Sequence, residues 1–221
     1  MSILAIDAKN WGSKTKVESR QPIIDVCREL GVMKKGRSYF GLGGQLFNTT
    51  TKSMQPWCEY DHFVHQAKIM SAGQYHSVEH NPEVVRGNLR ALPHLARQLY
   101  TEDIGDVLYA QLGTGKFRPG LIGLDTTSEP KLAIELLCNA MDVVNHVDGV
   151  VVVALNMILW SRKSNRKHTW RNVTEELDAN GRFHMYYPKG WREACRAYDY
   201  VNRGTTMGTL ILVREATPCS D

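Results

Sequence analysis

Residues 112–125 read LGTGKFRPGLIGLD, with four glycines, one proline and two basic residues before a closing carboxylate. The stretch is either a connector between two elements or the lip of a ligand pocket, and its neighbours decide which. Glycines at 113 and 115 let a backbone approach a bulky ligand, because no Cβ stands in the way. The apolar run 121–124 predicts a short strand that ends in Asp125. Ligands of open α/β sheets bind beyond the carboxyl ends of the strands. A carboxylate at that place can accept both hydroxyl hydrogens of a ribose.

Downstream, Ser128 and Pro130 read as the cap and first turn of a helix, with Leu132, Leu136, Leu137, Ala140 and Met141 on one face. The four valines 150–153 are β-branched and need cover on both sides, as a central parallel strand does. A helix over 170–177 ends before Asn180-Gly181. A strand over 182–187, a helix over 191–201 and a strand over 209–214 follow. This alternation predicts an α/β fold with a Rossmann-like open, mainly parallel sheet.

Upstream, residues 1–100 read as a mostly helical region that covers or completes the substrate site, with residues 101–221 as the core and the two forming one integrated domain. The expected elements are a short strand at 2–6, a helix over 22–30 stopped by Gly31, and a glycine-rich hairpin or loop over 36–47 (GRSYFGLGGQLF). A helix starting at Pro56 carries Trp57, Tyr60, Val64 and Ala67 as an apolar stripe, and a second begins at Asn81-Pro82 and ends by Pro93.

Composition narrows the function classes. With 221 residues, 43% hydrophobic and 23% charged, the chain can bury one sizeable core and shows no mark of disorder. The longest apolar run, GVVVVALNMILW (149–160), is too short for a bilayer and contains Asn156, so it reads as a buried element. No secretory signal is visible, and five cysteines without a CxxC pair point to reduced thiols in a cytoplasmic setting. The formal charge is +4, with the basic residues densest in RKSNRKHTWR (162–171).

The order of these stretches resembles the class I S-adenosylmethionine-dependent methyltransferases. LGTGKFRPGLIGLD looks like the first two motifs of a compact subgroup, CNAMDVVNHVDGVVVVALNMILW like the passage by the adenine into the fourth strand, and WRNVTEELDANGRFHMYYP like the helix, turn and fifth strand. The resemblance covers residues 106–188. It implies S-adenosylmethionine as cofactor, with Gly113, Thr114 and Gly115 along its methionine part, Asp125 on the ribose, and Asn139 and Ala140 flanking the adenine. Asn156 would face the transferred methyl or the acceptor in the catalytic position. In this fold the segment after the valine strand overhangs the site, so Arg162, Lys163, Arg166, Lys167 and Arg171 would meet phosphates and Trp170 would stack on a base, which makes nucleic acid the first acceptor to test.

Two other readings use the same residues differently. One is a non-enzymatic nucleic-acid-binding or assembly protein, of viral or phage type, in which the sheet is structural and residues 162–171 contact phosphates. The other is a metal-dependent hydrolase. His62 and His65 share a helical stripe, His76 and His80 would join it on a longer helix, and HSVEH (76–80) matches the HxxEH string of inverted zinc peptidases. Gly73 and Asn81-Pro82 leave that string about two turns of helix, so a polar helix face is the simpler account.

Overall fold

The computed structural model describes residues 18–42, 46–48, 53–54, 58–115, 117–126, 130–161, 166–167, 171, 173, 175, 190–202 and 205–215. Its centre is SYFGL, the first strand β1 (Ser38–Leu42), whose residues alternate between two buried faces with Tyr39 on one and Phe40 on the other. The remaining strands are β2 (Phe47–Asn48), β3 (Ser53–Met54), β4 (Tyr75–Val78), β5 (Leu99–Tyr100), β6 (Pro119–Asp125), β7 (Val151–Ser161), β8 (Arg166–Lys167), β9 (Trp191–Asn202) and β10 (Thr205–Arg214). The main sheet runs β5-β4-β1-β6-β7-β10-β9. Strands β5, β4, β1, β6 and β7 are parallel. Strand β10 is antiparallel to both β7 and β9.

Among the described residues the sheet is accompanied by the α-helices α1 (Gln21–Leu30), α2 (Pro82–Ala91), α3 (Ile104–Gly113) and α4 (Pro130–Val144). One face packs against α3 and α4 through Val107, Leu108, Ile134, Leu137, Met141 and Val144. The opposite face packs against α1 and a π-helical turn, Asp61–Gln66, through Ile23, Ile24, Cys27, Tyr60 and Phe63. Gly31 closes α1 at φ 57°, and Asn81 caps α2 by accepting from the Glu83 N–H at 3.0 Å. Burial pushes the Cys27 and Cys58 thiols up to about 12, so both are inert core side chains. No described helix is long and apolar enough to cross a membrane.

The structure corrects the sequence reading in three places. The region before residue 100 does more than cover the core: its strands β1, β4 and β5 belong to the central sheet, and β1 pairs directly with β6. Residues 191–201 are a strand rather than a helix, because only residues 203–204 separate β9 from β10 and the pairing of the two overrides the helix preference of REACRA. The helix expected from Pro56 shrinks to residues 59–66, ending at Ala67 before Lys68 at φ 53°. The expected strands at 2–6 and 182–187, Trp57, Ser128 and the Asn180-Gly181 turn lie outside the described residues; so do most of 170–177, of which residues 171, 173 and 175 are helical.

Candidate functional site at the carboxyl edge of the sheet

The connections reverse direction at β1: the chain goes outward to β4 and β5, then returns to β6 on the other side of β1. Such a switch point opens a crevice beyond the carboxyl ends of the two strands, the place where open α/β sheets take ligands. Register aligns Gly41 with Gly123 and Gly123 with Ala154, a row of small residues just below that edge. The Tyr39 ring leans along β1 to fill the row. A Cβ on Gly41 or Gly123 would come within 1.9 or 2.6 Å of the Tyr39 hydroxyl oxygen, so this ring dictates both glycines. It stacks on Tyr75 at 5.1 Å and meets Phe63 edge-on at 5.5 Å.

The Tyr39 hydroxyl donates to Glu59. Burial, and then the neighbouring Glu59 carboxylate, raise the tyrosine pKa well above its usual value, so it remains a donor. Buried Arg20 links that pair to the sheet edge. Its Nε lies 3.8 Å from Glu59 Oε1 and its Nη2 lies 4.0 Å from Asp125 Oδ2. Asp125 also receives the Asn156 amide at 3.4 Å, and Thr209 donates to Asn156 Oδ1 at 2.5 Å. A chain of polar contacts thus runs Tyr39, Glu59, Arg20, Asp125, Asn156, Thr209 under the carboxyl edge, beside a cavity of about 10 Å³. That volume is about one water. In this cluster two carboxylates face one guanidinium, and nearby His62 stays neutral because burial, helped by Arg20, lowers its pKa to about 4. Such an arrangement can orient a hydrogen-bond donor and accept a proton; it repels an anion.

The expected site residues separate into two groups. Asp125 and Asn156 are brought together, as register partners on β6 and β7. Asn156 is mid-strand rather than at a strand end, since β7 continues to Ser161. Gly113, Thr114 and Gly115 are not with them. Gly113 ends α3, the Thr114 hydroxyl donates to the Gln111 carbonyl at 2.7 Å, and Gly115 takes φ 65° in the turn after the helix. These three precede β6 and therefore sit at the amino edge, about 20 Å from Asp125 by the rise of a seven-residue strand. Residues 112–115 are a helix exit, and the positive-φ Gly115 serves the turn. Asn139 lies exposed and Ala140 buried on α4, in the covering layer and not at a sheet edge.

Of the basic segment, Arg162, Lys163 and Trp170 lie outside the described residues. The backbone of Arg166 and Lys167 pairs with Ser161 and Trp160 at the far end of β7, on the carboxyl side. Arg171 is exposed and pairs with Glu175 at 2.9 Å. The histidines do not converge. His62 and His65 lie on the π-helical turn, while His76 lies in β4, within hydrogen-bond distance of the Tyr100 hydroxyl, with His80 beyond that strand. No group of three potential metal ligands occurs among the described residues.

Residues the sequence reading passed over occupy the switch point: Arg20, Tyr39, Gly41, Glu59 and Glu79. Half-buried Glu79 directly follows β4, next to the end of β1, and its Oε1 accepts from the Asn81 N–H at 2.8 Å. The available signal was GLGG directly after SYF, a strand running into a glycine loop.

No family model and no curated protein matches the chain. Among solved structures, it is similar to a provisionally described transferase from Pyrococcus horikoshii, with a TM-score of 0.52 at 11% identity over 95% of this chain and 67% of that one. The shared fold is a Rossmann-like α/β sheet with helices on both faces. Also similar are the Bacillus cereus O-methyltransferase in complex with SAH (TM-score 0.47, 13% identity, 92% of each chain) and a magnesium protoporphyrin IX methyltransferase from Synechocystis with bound SAM (TM-score 0.43, 14% identity, 89% and 80%). Identities this low establish fold alone. Within that fold, β9 and β10 form the terminal pair of strands, with β10 inserted between β7 and β9.

Proposed function

We propose that the protein transfers a methyl group from S-adenosylmethionine to an acceptor presented at the carboxyl edge of β6 and β7. The observation that carries this reading is the switch point at β1, with a carboxylate, Glu79, directly after the adjacent parallel strand; in the sequence Gly43 and Gly44 come next after β1. The residues present fit a nucleoside cofactor. The sequence after β1 is rich in glycine, the residue type that admits close backbone approach, and Glu79 takes over from Asp125 as the candidate ribose acceptor. Bound there, S-adenosylmethionine supplies an already activated methyl group.

The chain's own part is alignment and exclusion of water. Asp125, its side chain 15% exposed, accepts a hydrogen bond from the acceptor's O–H or N–H and turns the lone pair toward the methyl. Arg20 holds the carboxylate from behind, and Asn156, the residue first placed opposite the methyl, holds it from the side. Nucleic acid is the acceptor to test first, because the backbone of Arg166–Lys167 lies beyond β7 on this same side and the surrounding sequence is basic.

Calorimetry with S-adenosylhomocysteine tests the assignment. Glu79→Ala should weaken binding about tenfold to a hundredfold, the worth of a hydrogen bond to a charged group. Asp125→Asn should bind normally and lose methyl transfer. Absence of binding by the wild-type chain would favour the non-enzymatic assembly reading, and loss of binding in Asp125→Asn alone would return the ribose to Asp125.

A further inference from the structure

The opposite edge of the sheet collects cations. Because Ser38 aligns with Pro119, the residues just before β1 and β6 converge: Lys34, Lys35 and Arg37 from one, Arg118 from the other. The turn that carries the first three is rigidly held. Arg37 N–H donates to the Lys34 carbonyl at 3.0 Å, and the Gln74 amide donates to the Met33, Lys34 and Arg37 carbonyls at 3.3, 3.1 and 2.8 Å. Gly36, at φ 85°, allows the reversal. Arg37 then crosses the sheet edge, donating to the Pro119 and Asp148 carbonyls at 3.3 and 2.7 Å over Gly149, where a Cβ would stand 2.0 Å from its guanidinium. Beneath it, buried Arg214 donates to the Gly149 and Asn145 carbonyls at 3.1 and 3.0 Å.

Carbonyls satisfy hydrogen bonds without cancelling charge. Among the described residues, no carboxylate lies within ion-pair distance of Lys34, Lys35, Arg37 or Arg118; Asp148, nearby, offers Arg37 its carbonyl. Lys34, Lys35 and Arg118 are exposed. Burial, and then neighbouring Arg118, lower the Arg37 pKa against the opposing pull of the nearby Asp148 carboxylate.

The geometry points to this amino edge as a binding surface for the phosphate backbone of a single-stranded nucleic acid. Three exposed side chains, Lys34, Lys35 and Arg118, offer several separate cationic contacts, which suits a repeating polyanion better than a lone phosphate. The two large exposed apolar side chains among the described residues, Tyr109 and Leu132, lie on α3 and α4, so the patch lacks the apolar wedge of a membrane surface site. The inference does not rest on methyl transfer, since it concerns a surface at the other end of the strands.

Fluorescence anisotropy with a labelled single-stranded RNA of about 20 nucleotides, across a salt series, tests it; a single-strand contact adds roughly 0.7 to the slope of log affinity against log salt. The variant Lys34→Glu/Lys35→Glu should weaken binding at least tenfold and flatten the slope by about 1 or more, with Arg118→Gln acting in the same direction. Arg86→Glu/Arg90→Glu, an equal charge change on exposed positions of α2, should change much less. Thermal melting and S-adenosylhomocysteine binding should be unchanged in all three, which separates this inference from the proposed activity. Equal weakening by the α2 pair, an unchanged salt slope in Lys34→Glu/Lys35→Glu, or binding to phosphatidylserine vesicles without binding to RNA would overturn it.

Discussion

The two edges of one parallel sheet handle arginine in opposite ways. At the carboxyl edge Arg20 is buried against the carboxylates of Glu59 and Asp125. At the amino edge Arg37 and Arg214 reach across loop carbonyls, and the charges nearby point to solvent. The difference lies in what each guanidinium meets. A buried counter-ion keeps a carboxylate in one orientation. An edge that only ties loops together needs the reach and fork of a guanidinium, and its positive charge remains available to something outside.

Removing Arg20 should break the contrast most severely. Arg20→Ala strands two carboxylates in a buried site and should cost about 3–5 kcal/mol in urea unfolding. Arg37→Ala, losing hydrogen bonds to carbonyls at a half-buried site, should cost about 1–3 kcal/mol. Comparable losses in the two variants would mean that the carboxyl-edge cluster is no more tightly coupled than an ordinary clamp.

The glycine row gives a smaller and sharper test. Gly123→Ala drives a methyl group into the Tyr39 hydroxyl and should destabilise by about 1–3 kcal/mol. Combined with Tyr39→Phe, it should cost less than the sum of the single changes, because the oxygen in its way is gone. Strict additivity would show that the ring does not dictate the glycine.

How much of this the sequence disclosed depended on whether local patterns matched long-range pairing. Strand β7 was legible from its valines, helix α1 from Pro22 and Gly31, and β6 from its apolar run ending in Asp125. The α/β class followed from these. Strand β1 was not legible. It has five residues, two of them a tyrosine and a phenylalanine facing opposite layers, and its glycine is explained only by a ring two residues back on the same strand. Without β1, the glycines at 113 and 115 read as a lip before a strand, whereas the structure places them at the end of α3 and in the turn after it. Asp125 and Asn156 lie side by side at the carboxyl edge, as register partners on β6 and β7. Arg20 and Glu59 carry no local signature: their meaning is their convergence on Asp125 from segments 105 and 66 residues away.

Acid should act on the buried histidines next. Burial lowers His62 and His76 to about 4 from an ordinary 6.5, so the folded state binds fewer protons than the unfolded chain. Their neutral forms therefore favour folding in full above pH 6.5, and that contribution is lost as pH falls from 6.5 toward about 4. Chemical denaturation at pH 7 and pH 4.5 should show the loss, and His62→Asn/His76→Gln should flatten it. An unchanged pH dependence in that variant would place the acid lability elsewhere.

The smallest effect belongs to the exposed Arg171–Glu175 pair. Arg171→Ala should change stability by no more than about 0.5 kcal/mol. A larger loss, seen by thermal melting, would show that residues 171–175 are not simply a solvated helix face.

Amide hydrogen exchange with and without S-adenosylhomocysteine reads most directly whether a nucleoside cofactor binds at the carboxyl edge beside β1 and β4. Binding there should add protection in peptides spanning residues 40–46 and 78–81, with none at 112–118. Added protection confined to 112–118, the stretch LGTGKFR, would contradict it.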